Sequence, residues 1–171
     1  MTTARTRLLY ILISFTIGYL SMGASAVAAQ GDCKTILDAE SKLDNTPAHV
    51  YATTKINGET VGSETIYAAG SIYGKLNGKW MVVDSIKDMV ELRQENLKKN
   101  TDKLTCRYLK DELVNGEMAA VYTSHDETPK GKVDMDVWIS KAKGLPLRME
   151  TDVDKVHMST RYEYGNVKPP L

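Results

Sequence analysis

The chain of 171 residues lacks an excess of charge of either sign, because 22 basic side chains balance 22 acidic ones. A nucleic-acid-binding protein usually carries a clear excess of lysine and arginine, so this balance argues against a nucleic-acid partner. An intrinsically disordered chain has fewer apolar residues and a larger net charge. The composition therefore indicates a folded protein, and the length suits a single domain.

Cysteine and histidine are also scarce, with two and three copies. Two cysteines cannot build a four-cysteine zinc site, and His49, His125 and His157 lack the short spacing that is typical of metal ligands. The sequence contains neither a glycine-rich phosphate loop nor a G-x-S-x-G nucleophile motif. We therefore predict no metal centre and no cofactor.

Two pairs of carboxylates are the remaining catalytic candidates. Asp134 with Asp136, and Glu150 with Asp152, each share one face of a predicted strand, where two carboxylates can lie within catalytic reach. Any solvated strand face produces the same pattern. An enzyme is therefore the less favoured class, and we predict no catalytic residue.

Residues 1–29 have the features of a secretory signal peptide. Two arginines precede an apolar stretch over 8–22, and an A-x-A cleavage site follows at 26–28. The alternative is a membrane anchor, but a span needs about 20 consecutive apolar residues, and this stretch is shorter and contains polar positions. The sequence thus predicts a cleaved leader, a single domain at 30–171, and no membrane span after cleavage.

In an exported chain the only two cysteines, Cys33 and Cys106, most simply form a disulfide. This bond would join the start of the mature chain to its middle. The alternatives are two free thiols or a redox-active pair, and the second of these lacks the C-x-x-C spacing that it normally requires.

Two segments have the periodicity of helices. Apolar residues recur at helical spacing over 33–43, and Asn45-Thr46-Pro47 ends this first helix. The second helix is predicted over 86–99, with Asp84 or Ser85 as its cap. Its apolar stripe is narrow, so we expect it to lie on a surface with one side facing inward.

The rest of the chain has the alternation and turn signals of an antiparallel sheet. Asn-Gly dipeptides are typical of tight type I′ hairpins, and they occur at 57–58, 77–78 and 115–116. Strands are predicted over 49–56, 59–69, 71–76, 79–83, 104–109, 117–125, 132–140, 145–153 and 156–167.

The last three strands alternate cleanly between an apolar and a polar face. The pattern predicts that Leu147 lies with Met149 on the dry face, and that the face carrying Trp138 and Arg148 is largely solvated. Several methionines fall on the dry face. Their flexible thioethers suit the binding of acyl chains, although ordinary core packing produces the same pattern.

Three segments carry a resemblance to a known group of proteins. They are the strand, Gly-Leu-Pro turn and strand over 137–150, the Lys-x-Asn-Gly-Lys-Trp hairpin over 73–80, and the final strand over 159–167. With the order of elements, these segments resemble the LolA-like superfamily, which includes periplasmic lipoprotein carriers and related lipid-binding proteins. The resemblance implies a periplasmic protein of α+β, mainly β fold. It implies a curved antiparallel half-barrel of about nine strands, with an N-terminal helix and one central helix covering the concave face.

The favoured hypothesis is a carrier for an acyl chain, a lipid or a lipoprotein segment. Such a ligand would lie in a hydrophobic cavity, with three aromatic residues near its mouth: Tyr51, Tyr73 and Trp80. Dry-face residues would line this cavity, namely Met118, Tyr122, Met135, Val137, Leu147, Met149, Met158 and Tyr162. The alternative is a non-catalytic protein with a solid core that meets another envelope protein through a sheet edge or through helix 86–99.

Overall fold

The computed structural model describes residues 23–100, 104–128, 131–153 and 156–171, so the first 22 residues of the predicted leader lie outside the described residues. Within these described ranges, two helices and nine strands follow one another. They are α1 Gly23–Leu43, β1 Ala48–Ile56, β2 Glu59–Ala68, β3 Ser71–Leu76, β4 Lys79–Ser85, α2 Ile86–Asn100, β5 Leu104–Val114, β6 Glu117–Thr128, β7 Gly131–Ser140, β8 Pro146–Val153 and β9 Val156–Tyr164. Within the described residues, no helix is long and apolar enough to cross a membrane.

All nine strands belong to one open sheet, in which β4 and β5 are the edges. The spatial order is β4-β3-β2-β1-β9-β8-β7-β6-β5, and the pairing of β1 with β9 joins two meanders. At three of the turns Asn57, Asn77 and Asn115 have positive φ angles and are each followed by glycine, as type I′ turns require. The predicted fold class, mainly β with an N-terminal and a central helix, is confirmed.

Helix α1 packs on one side of the sheet, which we call the helix-bearing face. Its Ile36 and Ala39 form a buried cluster with Val137 and Ile139 of β7. Closer to its end, Leu43 packs with residues of β1. Full burial of an Ile or Leu side chain contributes roughly 1.5–3 kcal/mol, so these contacts stabilise the packing of the second half of α1 on the sheet.

The predicted disulfide between Cys33 and Cys106 is confirmed, with a Cα–Cα distance of 5.0 Å. It joins α1 to the edge strand β5. One residue earlier, the Asp32 carboxylate accepts a hydrogen bond of 2.9 Å from the backbone N–H of Tyr108. Because an unpaired edge invites pairing with other chains, these two links also protect β5.

The other side of the sheet, which we call the opposite face, is drier than the alternation predicts. Val121, Trp138 and Leu147 form a buried cluster there, so the prediction that Leu147 lies beside Met149 is wrong. The register of β7 with β8 shifts between Trp138 and Ile139, and this bulge makes Leu147 an extra residue that breaks the alternation.

A second apolar cluster lies at the far end of the opposite face. It consists of Ile66, Ala68 and Tyr73, with Trp80 and the C-terminal Val167 packed against it. The segment that follows β9 therefore covers part of this face. The prediction that this face of the last three strands is largely solvated is wrong around Trp138, because the β7–β8 bulge places Leu147 beside it.

Candidate functional site

The predicted cavity residues divide between the two faces of the sheet. In β1, Tyr51 alternates with the buried Val50, so its side chain lies on the opposite face. The cross-strand register separates the others in the same way. Seven lie on the helix-bearing face, namely Met118, Tyr122, Met135, Val137, Met149, Met158 and Tyr162, whereas Tyr51, Tyr73, Trp80 and Leu147 lie on the opposite face.

Three of the predicted methionines form a contiguous patch around Thr151. The register places Thr151 between Met135 on β7 and Met158 on β9. Met149 lies two residues away on the same strand, opposite the buried Thr160. Met135 and Met149 are half-buried and Met158 is 36% exposed, so the patch is accessible at its β9 side.

The other predicted residues on the helix-bearing face have different environments. Val137 and Tyr162 belong to the clusters that α1 covers. Tyr122 meets Tyr108 edge-on at 5.6 Å between ring centroids. Met118 is exposed and pairs with the exposed Leu113 near the β5–β6 turn, away from the methionine patch. Only part of the predicted set therefore lies together.

Exposed apolar residues extend the methionine patch towards β1 and β2. Thr54 pairs with Met158 on one side and with Val61 on the other. Val61 is 61% exposed, and Ile56, two residues from Thr54, is exposed as well. Neither residue is among those predicted from the sequence, although the alternation of β1 places Ile56 on the same face as Val50.

Three further exposed apolar residues continue this surface onto β3 and β4. Gly74 of β3 pairs with Met81, and a Cβ added at Gly74 would lie 3.0 Å from the Val83 side chain. Leu76 lies on the same face as Gly74, and all three apolar side chains are exposed. We name the whole set, Ile56, Val61, Leu76, Met81, Val83 and Met158, the apolar strip.

Helix α2 is attached to α1 beside this surface by an ion pair. The Arg93 guanidinium donates two hydrogen bonds of 2.5 Å to the Asp44 carboxylate and one of 3.5 Å to Glu40. At the start of α2, the Ser85 hydroxyl caps the helix by accepting from the backbone N–H of Asp88 at 3.0 Å. The cap and the ion pair together determine how α2 lies against the rest of the molecule.

Burial controls the ionisation of the groups around Arg93. It raises the pKa of the Glu40 carboxyl, although Arg93 acts to lower it. Burial also raises the pKa of the Tyr67, Tyr162 and Tyr164 phenols. These phenols therefore stay protonated at neutral pH and act as hydrogen-bonding groups, as Tyr164 does when its hydroxyl donates to the Pro146 carbonyl.

We expect Glu40→Gln to be no less stable than the wild type at pH 7. Because its folded-state pKa lies above the ordinary value of 4.5, Glu40 contributes most to stability below pH 4.5, and that contribution falls as the pH rises. Chemical denaturation at pH 4 to 7 should show the variant gaining relative to the wild type. As the matched control, Asp44→Asn should cost about 2 kcal/mol at pH 7. Equal losses in the two variants would contradict this account.

Two histidines and two carboxylates meet in one row of the opposite face. The register runs from His125 to Asp134, Asp152 and His157, on four successive strands. Each imidazole Nδ1 is paired with its neighbouring carboxylate, at 2.6 Å and 2.9 Å. These side chains are 44% to 64% exposed. Among the described residues, no group of three or more such side chains is placed to hold a metal ion.

Comparison with known proteins identifies the fold. No protein-family profile and no curated protein matches the chain. The Mycobacterium tuberculosis lipoprotein LppX is similar over 81% of this chain and 97% of that chain, with a TM-score of 0.52 and 16% identity. MucB in its complex with MucA(peri) is similar over 81% of this chain and 57% of that chain, with a TM-score of 0.55 and 11% identity. A chain of the Pseudomonas aeruginosa MucA/MucB complex matches over 82% of this chain and 59% of that chain, with a TM-score of 0.55 and 11% identity. The chain shares the fold of these proteins, in agreement with the fold that the LolA-like resemblance implies.

Proposed function

We propose that this protein is a periplasmic carrier of a hydrophobic ligand, namely an acyl chain, a lipid or a lipoprotein segment. The ligand lies on the helix-bearing face, and the leader at 1–29 is removed after export. The apolar strip is the observation that carries this proposal, because it is exposed and continuous with the methionine patch. Contiguous exposed apolar surface of this kind marks interaction sites in soluble proteins.

The chemistry of the surface suits a flexible apolar chain. Around Met158 the register places small or uncharged side chains, Ala52, Thr54 and Thr151. At the margin of the strip, Glu59 pairs with Ile56 and Lys79 pairs with Leu76. Each 100 Å² of apolar surface that a ligand covers contributes about 2.5 kcal/mol before the costs of association. Methionine thioethers adapt to ligands of different shape, so this surface favours a class of ligand over one exact structure.

The comparisons support a ligand-carrying role without identifying the ligand. LppX is a lipoprotein, and MucB forms a complex with MucA(peri). The shared fold is thus found both in a lipoprotein and in a protein that binds a partner chain.

We expect Val61→Lys and Met158→Lys each to weaken the uptake of a fluorescent fatty acid by about tenfold or more, because a lysine ammonium is costly to desolvate against an acyl chain. Fluorescence titration of the purified mature protein measures the change. Native mass spectrometry with lipid extraction on the same samples identifies any species that copurifies. Val82→Lys is the matched control, since Val82 is 58% exposed but pairs with Tyr73 on the opposite face.

Equal weakening by all three variants would show that charge, and not the apolar strip, controls uptake. If the wild-type protein takes up no acyl probe, a second candidate function gains weight, that of an envelope interaction protein. A specific feature favours it: the edge strand β4 has three consecutive exposed apolar residues, Met81, Val82 and Val83. Edge strands of this composition readily add a strand from a partner.

A further inference from the structure

Two arginines occupy directly opposite positions on neighbouring strands of the opposite face. Arg148 of β8 pairs in register with Arg161 of β9. Like charges at opposite positions of adjacent strands destabilise a sheet. The side chains are 40% and 48% exposed, so water alone does not fully screen them. This placement brings two positive charges together at one point of the sheet.

Aromatic rings hold both guanidinium groups against the sheet. Arg148 lies over the ring of Trp138, with its guanidinium carbon 4.7 Å from the ring centroid. Arg161 lies over Tyr51 in the same way, at 4.5 Å. A guanidinium that lies over a ring keeps its N–H groups free to meet a ligand, because these groups point outward in the guanidinium plane.

Two glutamates orient the guanidinium groups from the outer sides of the pair. Glu150 accepts a hydrogen bond from Arg148, and Glu163 accepts one from Arg161. Each glutamate lies two residues from its arginine on the same strand, one towards each end of the sheet. Among the described residues each contact uses one terminal nitrogen, and a guanidinium has five N–H donors. These two contacts therefore leave several N–H donors of each guanidinium unused.

Both arginines line a cleft of about 390 Å³. Val114 and Asn115 of the β5–β6 turn form one wall of this cleft, and the hydroxyl-bearing Thr53 and Ser159 lie on its floor. The register of β5 with β6 shifts between Tyr108 and Lys110, and such a bulge bends a hairpin. The bent hairpin places its turn over the opposite face.

We propose that this cleft binds a phosphate group. A carboxylate has two oxygens, which one guanidinium fork can satisfy, whereas a phosphate offers three or more and can accept from two forks at once. The hydroxyls of Thr53 and Ser159 and the amide of Asn115 supply donors for the remaining oxygens. The bound anion adds to the compensation that Glu150 and Glu163 already give to Arg148 and Arg161. The site is independent of the apolar strip, which lies on the other face.

Calorimetric titration of the full chain with inorganic phosphate at low ionic strength tests the proposal. Arg161→Gln should weaken phosphate binding by about tenfold or more. The affinity of Arg161→Lys should lie between those of the wild type and Arg161→Gln, because lysine keeps the charge but lacks the guanidinium fork. Lys55→Gln is the matched control, since it removes a cation from the same face outside the cleft, where Lys55 pairs with His157. This control should change the affinity by less than about twofold.

A second titration, with phosphatidylglycerol vesicles, distinguishes the source of the phosphate. If the wild type binds inorganic phosphate and Arg161→Gln abolishes this binding, the ligand is a free phosphate. If the wild type binds only the vesicles and the same variant abolishes that binding, the ligand is a lipid head group. If Arg161→Gln does not fold, the wild-type protein still gives an answer by NMR, because the amides of Asn115 and Ser159 should shift on phosphate addition. Absence of binding to both ligands, equal binding by wild type and Arg161→Gln, or shifts confined to other residues would overturn the proposal.

Discussion

Replacing Cys33 with alanine is expected to lower the free energy of unfolding by about 4 kcal/mol, the largest effect of any single change proposed for this protein. The disulfide closes a loop over a sequence separation of 73 residues, so its loss returns considerable entropy to the unfolded chain. Its loss leaves α1 on the sheet through the packing of Ile36, Ala39 and Leu43 and through the hydrogen bond between Asp32 and Tyr108. Urea denaturation of the wild type and the variant measures the difference.

The double variant with alanine at both Cys33 and Cys106 provides the control. Because both changes remove the same bond, the double variant should lose little more than the single one. A reductant should destabilise the wild type and leave the double variant unchanged. Additive losses in the double variant, or the absence of a reductant effect on the wild type, would mean that the packing of the thiols matters more than the cross-link.

Arg93→Ala is expected to lower the free energy of unfolding by about 3 kcal/mol, at the lower end of the range for one partner lost from a buried ion pair. The Asp44 side chain is 9% exposed, so its carboxylate would remain buried without its partner. The lower end applies because Arg93 is itself 25% exposed and water can partly replace it. Since Arg93 links α2 to α1, hydrogen exchange should also quicken in the first half of α2.

Lys87→Ala is the matched control on the same helix. Lys87 forms an i,i+4 pair with Glu91 at 3.7 Å, and the two side chains are 81% and 65% exposed. Exposed pairs of this kind contribute about 0.5 kcal/mol or less, so this variant should be nearly as stable as the wild type. Similar losses in Lys87→Ala and Arg93→Ala would indicate that α2 is stabilised by helix propensity and not by its link to α1.

Local features of the sequence predicted most of the elements. The Asn-Gly dipeptides predicted three hairpin turns, because only residues that tolerate positive φ fit them. The second helix was predicted over 86–99 and ends at Asn100. The first helix is predicted from Cys33, whereas the described part of α1 starts at Gly23. Small and apolar residues continue a helix even where the sequence has no amphipathic pattern to indicate it.

The candidate site was harder to predict, because a site depends on which strands are neighbours. Tyr51 and Trp80 were assigned to the cavity as aromatic residues, although both lie on the face away from the helices. Ile56 and Val61 were missed because each lies at the hairpin end of its strand, among polar residues and glycines. Their role in the apolar strip becomes visible only when β1 is paired with β9.

The sequence by itself determined the nine strands, the two helices and the pairing of Cys33 with Cys106, since turn chemistry, periodicity and cysteine parity are properties of short segments or of composition. The tertiary structure alone decided which residues share a face and what covers it. A single bulge at Trp138 moved Leu147 into another cluster, and a bent hairpin formed the cleft with Arg148 and Arg161. The physical reason is that register between distant strands is set by the packing of the whole sheet, and a shift of one residue exchanges the two faces.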